Sequence, residues 1–360
     1  MDGQDAQTAT NRRAQTVDGD RYPQTVGFVV AGVGLAATLL EWTPVSAPVT
    51  WLTSGWAALA LVAFALGRYG VGPAWLDYVA GVGAAGLALT ASAAIVGLRG
   101  ALPYGPPVAL LAGIVGIGVA VAAANGQGRE ALLGREQRSV TAVAVSAVAL
   151  VFGSLLASVV LGVVPDDPVV AIPVQTAVSS VGYALAGFAF VRSFDGGVDA
   201  SVPDRRDVVV AAVGVVAIFA LHVAMVGVVQ AFSLPKTTHG LVETARTHPG
   251  ILPPLVVLSF LAIAPAEELL ARNGVQKYLY GAFSRYGAVV VGCLVFTGVH
   301  LLAYAGGATP GAVLVTLARL FVVSLVLGVV YERTDDLFAP VVVHGAYDGV
   351  QFALAYLAFS

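Results

Sequence analysis

The sequence predicts an all-α protein, a polytopic bundle of transmembrane helices, and three observations carry this prediction. Hydrophobic residues make up 58% of the 360 positions and charged residues only 11%, whereas an ordinary soluble domain has roughly 25% charged residues. The apolar residues gather into runs of about 20, the length needed to cross a hydrocarbon core about 30 Å thick. Lysine and arginine collect in alternate connections between these runs, as they do in the cytoplasmic loops of membrane proteins.

The chain begins with a polar segment, 1–24, of mixed charge and with nothing apolar enough to pack. We expect it to be a disordered cytoplasmic tail. A cleaved signal peptide is not expected, because the first apolar run has no matching n-region and small-residue cleavage site. The net charge is −3 and the basic residues are scattered, so no nucleic-acid partner is expected.

Eleven apolar runs follow the tail and are the candidate spans. Only the segment 164–168 separates the fifth run from the sixth, and its sequence VPDDP predicts a tight turn. We divide the chain into an N-terminal six-span region, 25–200, with no assigned role, and a second domain, 201–360. The approximate limits of the runs are 25–42, 50–67, 76–98, 107–124, 140–164, 169–191, 208–232, 250–271, 286–304, 310–331 and 338–358.

The basic residues set the orientation of the eleven spans. With the N-terminus inside, only Arg99, Lys236 and Arg246 fall on the outer side, Arg319 lies within a span, and the other fourteen lysines and arginines are cytoplasmic. This bias predicts an N-terminus inside and a C-terminus outside. The protein is therefore expected to be an integral, multi-pass protein of the cell membrane.

Ionisable residues are concentrated in the last four runs, where each is a candidate for function. Glu267 and Glu268 lie near the end of the eighth run. Adjacent helical positions point about 100° apart, so one carboxylate can face a cavity while the other meets a structural partner such as Arg272 or Arg319. Arg319, in the middle of the tenth run, is expected to pair with Glu268 or Asp348 rather than to bind a substrate carboxylate.

Two histidines follow in the ninth and eleventh runs, each four residues from a second notable side chain. Phe296 precedes His300 and His344 precedes Asp348, and residues four apart share a helix face. Taken singly, either histidine could be a packing residue, which is how we interpret His222 in the seventh run. Cys293 lies seven residues before His300, so it shares that face, and we interpret it as a small buried thiol.

In chain order these segments read EExxxR, FxxxH and HxxxD on three separate predicted helices. Over roughly residues 205–360 the chain resembles the CPBP family of intramembrane proteases, which includes the type II CAAX prenyl endopeptidases. The sequence departs from the family pattern at two positions. Asp348 stands where asparagine is common, and Asn273 separates Arg272 from Gly274.

The resemblance implies hydrolysis of a peptide bond inside the membrane. Glu267 and His300 match the residues that activate water, and His344 and Asp348 match those that stabilise the oxyanion. Supporting positions around them are Glu268, Arg272, Phe296 and Arg319. Besides the lipid bilayer, the expected partner is a membrane-associated protein, with or without a prenyl group, that reaches a cavity opening to the cytoplasmic side.

Three alternatives stay open. The first is a catalytic zinc site, because two histidines and one carboxylate are typical zinc ligands and the chain offers Glu267, His300 and His344. No HExxH helix is present, however. A metal-independent mechanism without cofactors is therefore favoured. The same cluster could serve a proton-coupled transporter. The third alternative is a membrane scaffold without catalytic activity.

Straight helices over the eighth and ninth runs would place Glu267 and His300 at different depths in the membrane. At about 1.5 Å per residue, Glu267 and His344 lie only about 6–9 Å from the cytoplasmic ends of their runs, whereas His300 lies about 20 Å from its own. We therefore expect either a break at Pro265 or a membrane-embedded segment, 272–284, that extends the eighth span.

Overall fold

The computed structural model describes residues 21–40, 46–98, 100–194 and 196–360. In these parts of the chain the structure contains helices and no strand. Each apolar run overlaps one helix, except the ninth, 286–304, which overlaps two helices with His300 between them. The thirteen helices of the described residues are α1 (Tyr22–Ala37), α2 (Ala47–Arg68), α3 (Leu76–Gly97), α4 (Gly105–Ala124), α5 (Arg129–Leu161), α6 (Pro168–Ser193), α7 (Arg205–Ala231), α8 (Gly240–Thr247), α9 (Pro249–Leu279), α10 (Arg285–Val299), α11 (Leu301–Ala305), α12 (Pro310–Thr334) and α13 (Phe338–Phe359).

The predicted fold class, an all-α polytopic membrane bundle, is confirmed. Within the described residues, eight helices are long and apolar enough to cross a membrane, and α1 and α10 are shorter apolar helices. The short connection predicted between the fifth and sixth spans is also present, because α5 ends at Leu161 and α6 begins at Pro168. Which end of the chain is inside stays a prediction.

The predicted tail, 1–24, stays a prediction, and only its last residues fall within the described part of the chain. Residues 1–20 lie outside the described residues, but α1 already begins at Tyr22. Pro23 stands in the first turn, where a missing N–H costs no hydrogen bond and the fixed φ favours a helix start. Gln24, on the same turn, donates to Asp77 Oδ1 of α3 over 3.2 Å.

The chain divides into two compact units, one of residues 1–134 with 309–311 and the other of residues 135–308 with 312–360. The division falls within α5, whereas the sequence analysis placed the start of the second domain at residue 201. That residue as the first of a peptidase domain stays a prediction. In the first unit α1–α4 pack through small residues, including the fully buried Ala57, Ala91 and Ala109. Helices with such faces approach closely.

The core of the second unit lies where α7, α12 and α13 meet. Ile218, Leu327 and Val343 are almost completely buried there. The capping box of α7, in which Asp204 and Asp207 accept each other's backbone N–H, fixes the start of that helix.

The helix α9 changes its winding around the two glutamates. Residues Ser259–Ile263 and Leu269–Gln276 are π-helical, and Ala264–Glu268 between them is α-helical. The wider winding just before Pro265 gives room for a ring that would clash with a carbonyl of a regular helix. Of the two expected arrangements, a break at Pro265 is not the one observed, because the helix continues through it.

The alternative expectation, an extended eighth span, agrees with the structure as far as Leu279, where α9 ends. Glu267 is thus twelve residues from the end of its helix, roughly 18 Å at the α-helical rise. His300 follows the first residue of α10, Arg285, by fifteen positions, roughly 22 Å. The two side chains therefore lie at similar heights.

Candidate active site

Glu268 and Arg272 form an ion pair in the interior of the second unit, and neither side chain is exposed at all. Arg272 Nε donates to Glu268 Oε2 over 2.9 Å, and a terminal guanidinium nitrogen donates to Ser324 Oγ of α12 over 2.9 Å. The guanidinium also lies 3.4 Å from Cys293 Sγ and 5.4 Å from the ring centre of Phe296. A buried charge needs such complete pairing, so both residues are held in one arrangement.

His344 lies between two carboxyl groups. Its Nδ1 is 2.8 Å from Glu268 Oε1, and its Nε2 is 3.3 Å from Asp348 Oδ2. Two carboxylates can only accept. Both contacts are satisfied when the ring carries a proton on each nitrogen, or when one carboxyl group is protonated. Either arrangement places a proton donor at the position of His344 and Asp348.

His300 stands directly after α10 and faces Glu267. Its Nδ1 lies 2.7 Å from the carbonyl oxygen of Phe296; because a carbonyl only accepts, this nitrogen carries the proton and the Nε2 of the neutral ring is an acceptor. That Nε2 is 3.9 Å from Glu267 Oε2. Two acceptors at this distance are not bonded to each other, and a water molecule between them can donate one O–H to each.

The two adjacent glutamates therefore have different surroundings. Glu268 is completely buried and its oxygens are engaged by Arg272 and His344, whereas the side chain of Glu267 is 24% exposed and contacts only His300 as an ion-pair partner among the described residues. Glu267 is thus the carboxylate that a reactant can approach.

Glu267 and His300 line one cavity with a mostly apolar wall. It contains about 360 Å³ of empty space, part of which is continuous with the outside. An apolar wall strengthens the electrostatic interactions inside it. The lining residues are Ser146, Tyr183, Glu267, Leu270, Ala271, Val275, Gly292, Val295, Phe296, Val299 and His300.

Phe296 connects the two halves of the site. Its ring centre lies 4.5 Å from that of His300 and 6.3 Å from that of His344, and the Arg272 guanidinium lies over its face. The structure thus brings together the predicted residues on α9, α10 and α13. The exception is Arg319, whose predicted ion pair is wrong: it has no ion pair or hydrogen bond with any residue that the structure describes, and Glu268 and Asp348 have other partners.

Sequence reasoning missed several residues around the site. Tyr183 of α6 lines the cavity and interacts electrostatically with the Glu267 carboxylate, but it belongs to a run with no other signal of function. Tyr347 of α13 lies 2.8 Å from His222 Nδ1, so the packing interpretation of His222 agrees with the structure. Cys293 is fully buried beneath Arg272 rather than among the cavity residues.

Asn273, a departure from the family pattern, has a clear structural partner in Asp199. Its Oδ1 accepts from Asp199 N over 3.1 Å and its Nδ2 donates to Asp199 Oδ2 over 3.1 Å. The same carboxylate accepts from Lys277 Nζ over 2.6 Å and from Tyr331 Oη over 2.5 Å. Asn273 therefore fastens the loop between α6 and α7 to α9 and α12.

The proposed zinc ligands do not form a ligand set in this geometry. Both nitrogens of His344 face carboxyl groups at 2.8 and 3.3 Å, which leaves neither free for a metal. No three His, Cys, Asp or Glu side chains of the described ranges stand together as a metal site requires. Glu267 and His300 alone remain as a pair of acceptors.

Comparison with known proteins finds one family that is similar to this region. Residues 249–350, which hold every predicted site residue, match the family described as type II CAAX prenyl endopeptidase Rce1-like. We call this region the Rce1-like domain. The match confirms the resemblance to the CPBP proteases and supports an intramembrane peptidase acting on a protein. No curated protein and no solved structure matches the chain.

Proposed function

We propose that the protein is a metal-independent intramembrane endopeptidase in which Glu267 and His300 activate a water molecule. The observation that carries the proposal is the pair of acceptors, Glu267 Oε2 and His300 Nε2, 3.9 Å apart in one cavity of the Rce1-like domain. A general base must lie within hydrogen-bond reach of the proton it removes, and a water between these atoms reaches both.

In the first step the water oxygen attacks the carbonyl carbon of the peptide bond and gives a proton to Glu267. His300, whose Nδ1 is held by the Phe296 carbonyl, orients the water through Nε2. The negative charge moves to the former carbonyl oxygen, where the pair of His344 and Asp348 offers a proton donor. Fixed donors at this point stabilise the transition state more than the substrate.

In the second step the C–N bond breaks and the leaving nitrogen takes the proton held by Glu267. A carboxylic acid and a new amine terminus result, so that one water is consumed and no other reactant is required. Glu268 and Arg272 keep His344 in place throughout, because their pairing fixes the Nδ1 side of the ring.

The substrate that fits is a protein tail attached to the membrane, and the family supports one of CAAX type. A cavity among apolar helices admits a segment that lipid already holds near the bilayer. We further propose that the protein resides in the cell membrane with the cavity open to the cytoplasmic side, as the distribution of basic residues predicts.

The experiment is cleavage of a lipid-anchored peptide by purified protein in vesicles. E267Q and H300A are each expected to lose activity at least a hundredfold, about the size of a general base contribution. The double variant should have little less activity than the less active of the two single variants, because both groups act on one water molecule. The matched control is E136Q, an exposed glutamate of α5, which should cleave normally. Undiminished cleavage by both single variants would overturn the proposal.

Treatment with a strong chelator tests the metal alternative. The proposed mechanism expects the cleavage rate to be unchanged after complete removal of divalent metals. Loss of activity that added zinc restores would favour the metalloprotease. Proton uptake into vesicles without any cleavage would favour the transporter.

A further inference from the structure

Arg319 is a charged side chain in an apolar span without a partner. It lies nine residues after Pro310 and fifteen before Thr334, about 14 and 22 Å from the two ends of α12. Within the described residues it makes no hydrogen bond, no ion pair and no contact with an aromatic face. Ionisable residues at such depth are costly and mark function by default.

Arg319 lies on a buried face of α12. Its neighbours one helical turn away, Val315, Thr316 and Val323, are buried, with at most 8% of their surface exposed. Residues three and four apart share a helix face. The guanidinium also interacts electrostatically with Tyr304 and Tyr347, which belong to α11 and α13.

A second observation at the same place concerns Thr316. Its side chain is 8% exposed and its Oγ1 is buried without a hydrogen-bond partner. An unsatisfied buried hydroxyl is uncommon and calls for an explanation. Thr316 precedes Arg319 by one turn, so that a hydroxyl and a guanidinium, both without partners in the described structure, stand side by side.

The two groups lie on the side of the catalytic residues. Both tyrosines that interact electrostatically with Arg319 also interact with the Asp348 carboxylate. One of them, Tyr304, interacts with Glu267 as well. Val323, one turn after Arg319, lies in the cluster against which Tyr347 of α13 packs, and Tyr347 directly precedes Asp348. An anion held by Arg319 therefore lies on the face of α12 that packs against the Asp348 end of the site. A lipid phosphate does not fit, because headgroups lie at the ends of the spans and not near their middle.

We propose that Arg319, with the Thr316 hydroxyl beside it, binds the C-terminal carboxylate of the peptide that Glu267 and His300 cleave. This inference rests on the proposed peptidase function and makes it more specific. A guanidinium binds a carboxylate through two parallel hydrogen bonds, and the hydroxyl adds a third donor. The enzyme then cuts a bond a few residues from a free chain end and discriminates against longer chains.

The test uses two lipid-anchored peptides that differ only at the last residue, one a free acid and the other an amide. Wild-type protein should prefer the acid at least tenfold in kcat/KM. R319Q should bring this ratio close to one, chiefly through a higher KM for the acid, and R319K should recover part of it. T316V should lower the ratio severalfold without lowering the melting temperature. R246Q, a control at an arginine whose side chain is 53% exposed, should keep the wild-type ratio.

Two results would overturn the inference while leaving the peptidase intact: equal cleavage of both peptides by wild-type protein, or an equal loss on both peptides in R319Q. An effect of R319Q that follows the anionic lipid content of the vesicles, and not the peptide terminus, would assign the arginine to lipid instead. Failure of the wild type to cleave either peptide would refute the proposed function itself.

Discussion

The first four helices and the Rce1-like domain bury different kinds of side chain, although both consist of apolar helices. In residues 21–40 and 46–134, outside the undescribed position 99, the buried polar side chains are Thr38 and Thr53, each bonded to a carbonyl of its own helix. The Rce1-like domain instead buries a glutamate, an arginine, an asparagine and a glutamine completely. Close packing of small residues stabilises the first region, whereas the second also depends on the pairing of charges.

The largest expected effect comes from breaking the buried ion pair. R272M removes the guanidinium partner of the buried Glu268 carboxylate and leaves it only the contact with His344, which should lower the free energy of unfolding by about 3–5 kcal/mol. The double variant E268Q/R272M should regain part of this loss, because it removes both charges. Denaturant unfolding in detergent measures the difference.

The control for this prediction is R246M, which breaks an exposed pair with Glu243 at 3.5 Å. Such pairs contribute at most about 1 kcal/mol. A free energy of unfolding for R272M within 1 kcal/mol of the wild type would remove the distinction between the two regions.

A smaller effect tests the packing of the first region. A Cβ at Gly113 would lie 2.6 Å from the backbone nitrogen of Ala88 and 2.8 Å from the carbonyl oxygen of Ala84. G113A should therefore cost about 1–3 kcal/mol by overpacking. G118A, five residues along the same helix with nothing within 4 Å, should be neutral or slightly stabilising. Equal stability of the two variants would show that close helix approach does not matter there.

The smallest effect concerns His239, which caps α8 outside the membrane spans. Burial lowers the pKa of His239, a positive charge on His300 would lower it further, and the Asp348 carboxylate raises it. Its Nδ1 accepts from Leu241 N over 3.0 Å, a bond that only the unprotonated nitrogen can make. The unfolded chain therefore binds more protons than the folded one below about pH 6.5, so stability should fall with the pH there.

H239N keeps a capping side chain and removes the titration. The melting temperature of this variant should change less between pH 7 and pH 5 than that of the wild type. An identical pH dependence in both proteins would mean that His239 titrates as freely in the folded protein as in the unfolded chain.

Sequence patterns predicted much of this structure because they follow from local chemistry. Runs of apolar residues gave the helices, and four-residue spacings placed Phe296 beside His300 and His344 beside Asp348. The partner of Glu268 was narrowed to two arginines, and the i+4 residue, Arg272, is the one that pairs with it.

The remaining features depend on contacts between distant segments, which no local pattern contains. Tyr183 reaches the cavity only because α6 packs beside α9, and Asp199 acquires its role from the loop that carries it to Asn273. Arg319 was assigned a structural partner because most intramembrane charges have one. Nothing in its neighbouring sequence shows that the nearby carboxylates are already engaged.

The mixed winding of α9 has an evolutionary consequence. A π-helical stretch holds one residue more than an α-helix of the same length needs, so deletion of a single codon within 269–276 can return that stretch to regular winding without breaking the helix. Such a deletion would leave Lys277 on nearly the same face of the helix relative to Glu267, because the π-helical winding had absorbed the extra residue. The length of this stretch can therefore change by one residue while the catalytic turn 264–268 and the contacts of Lys277 keep their places.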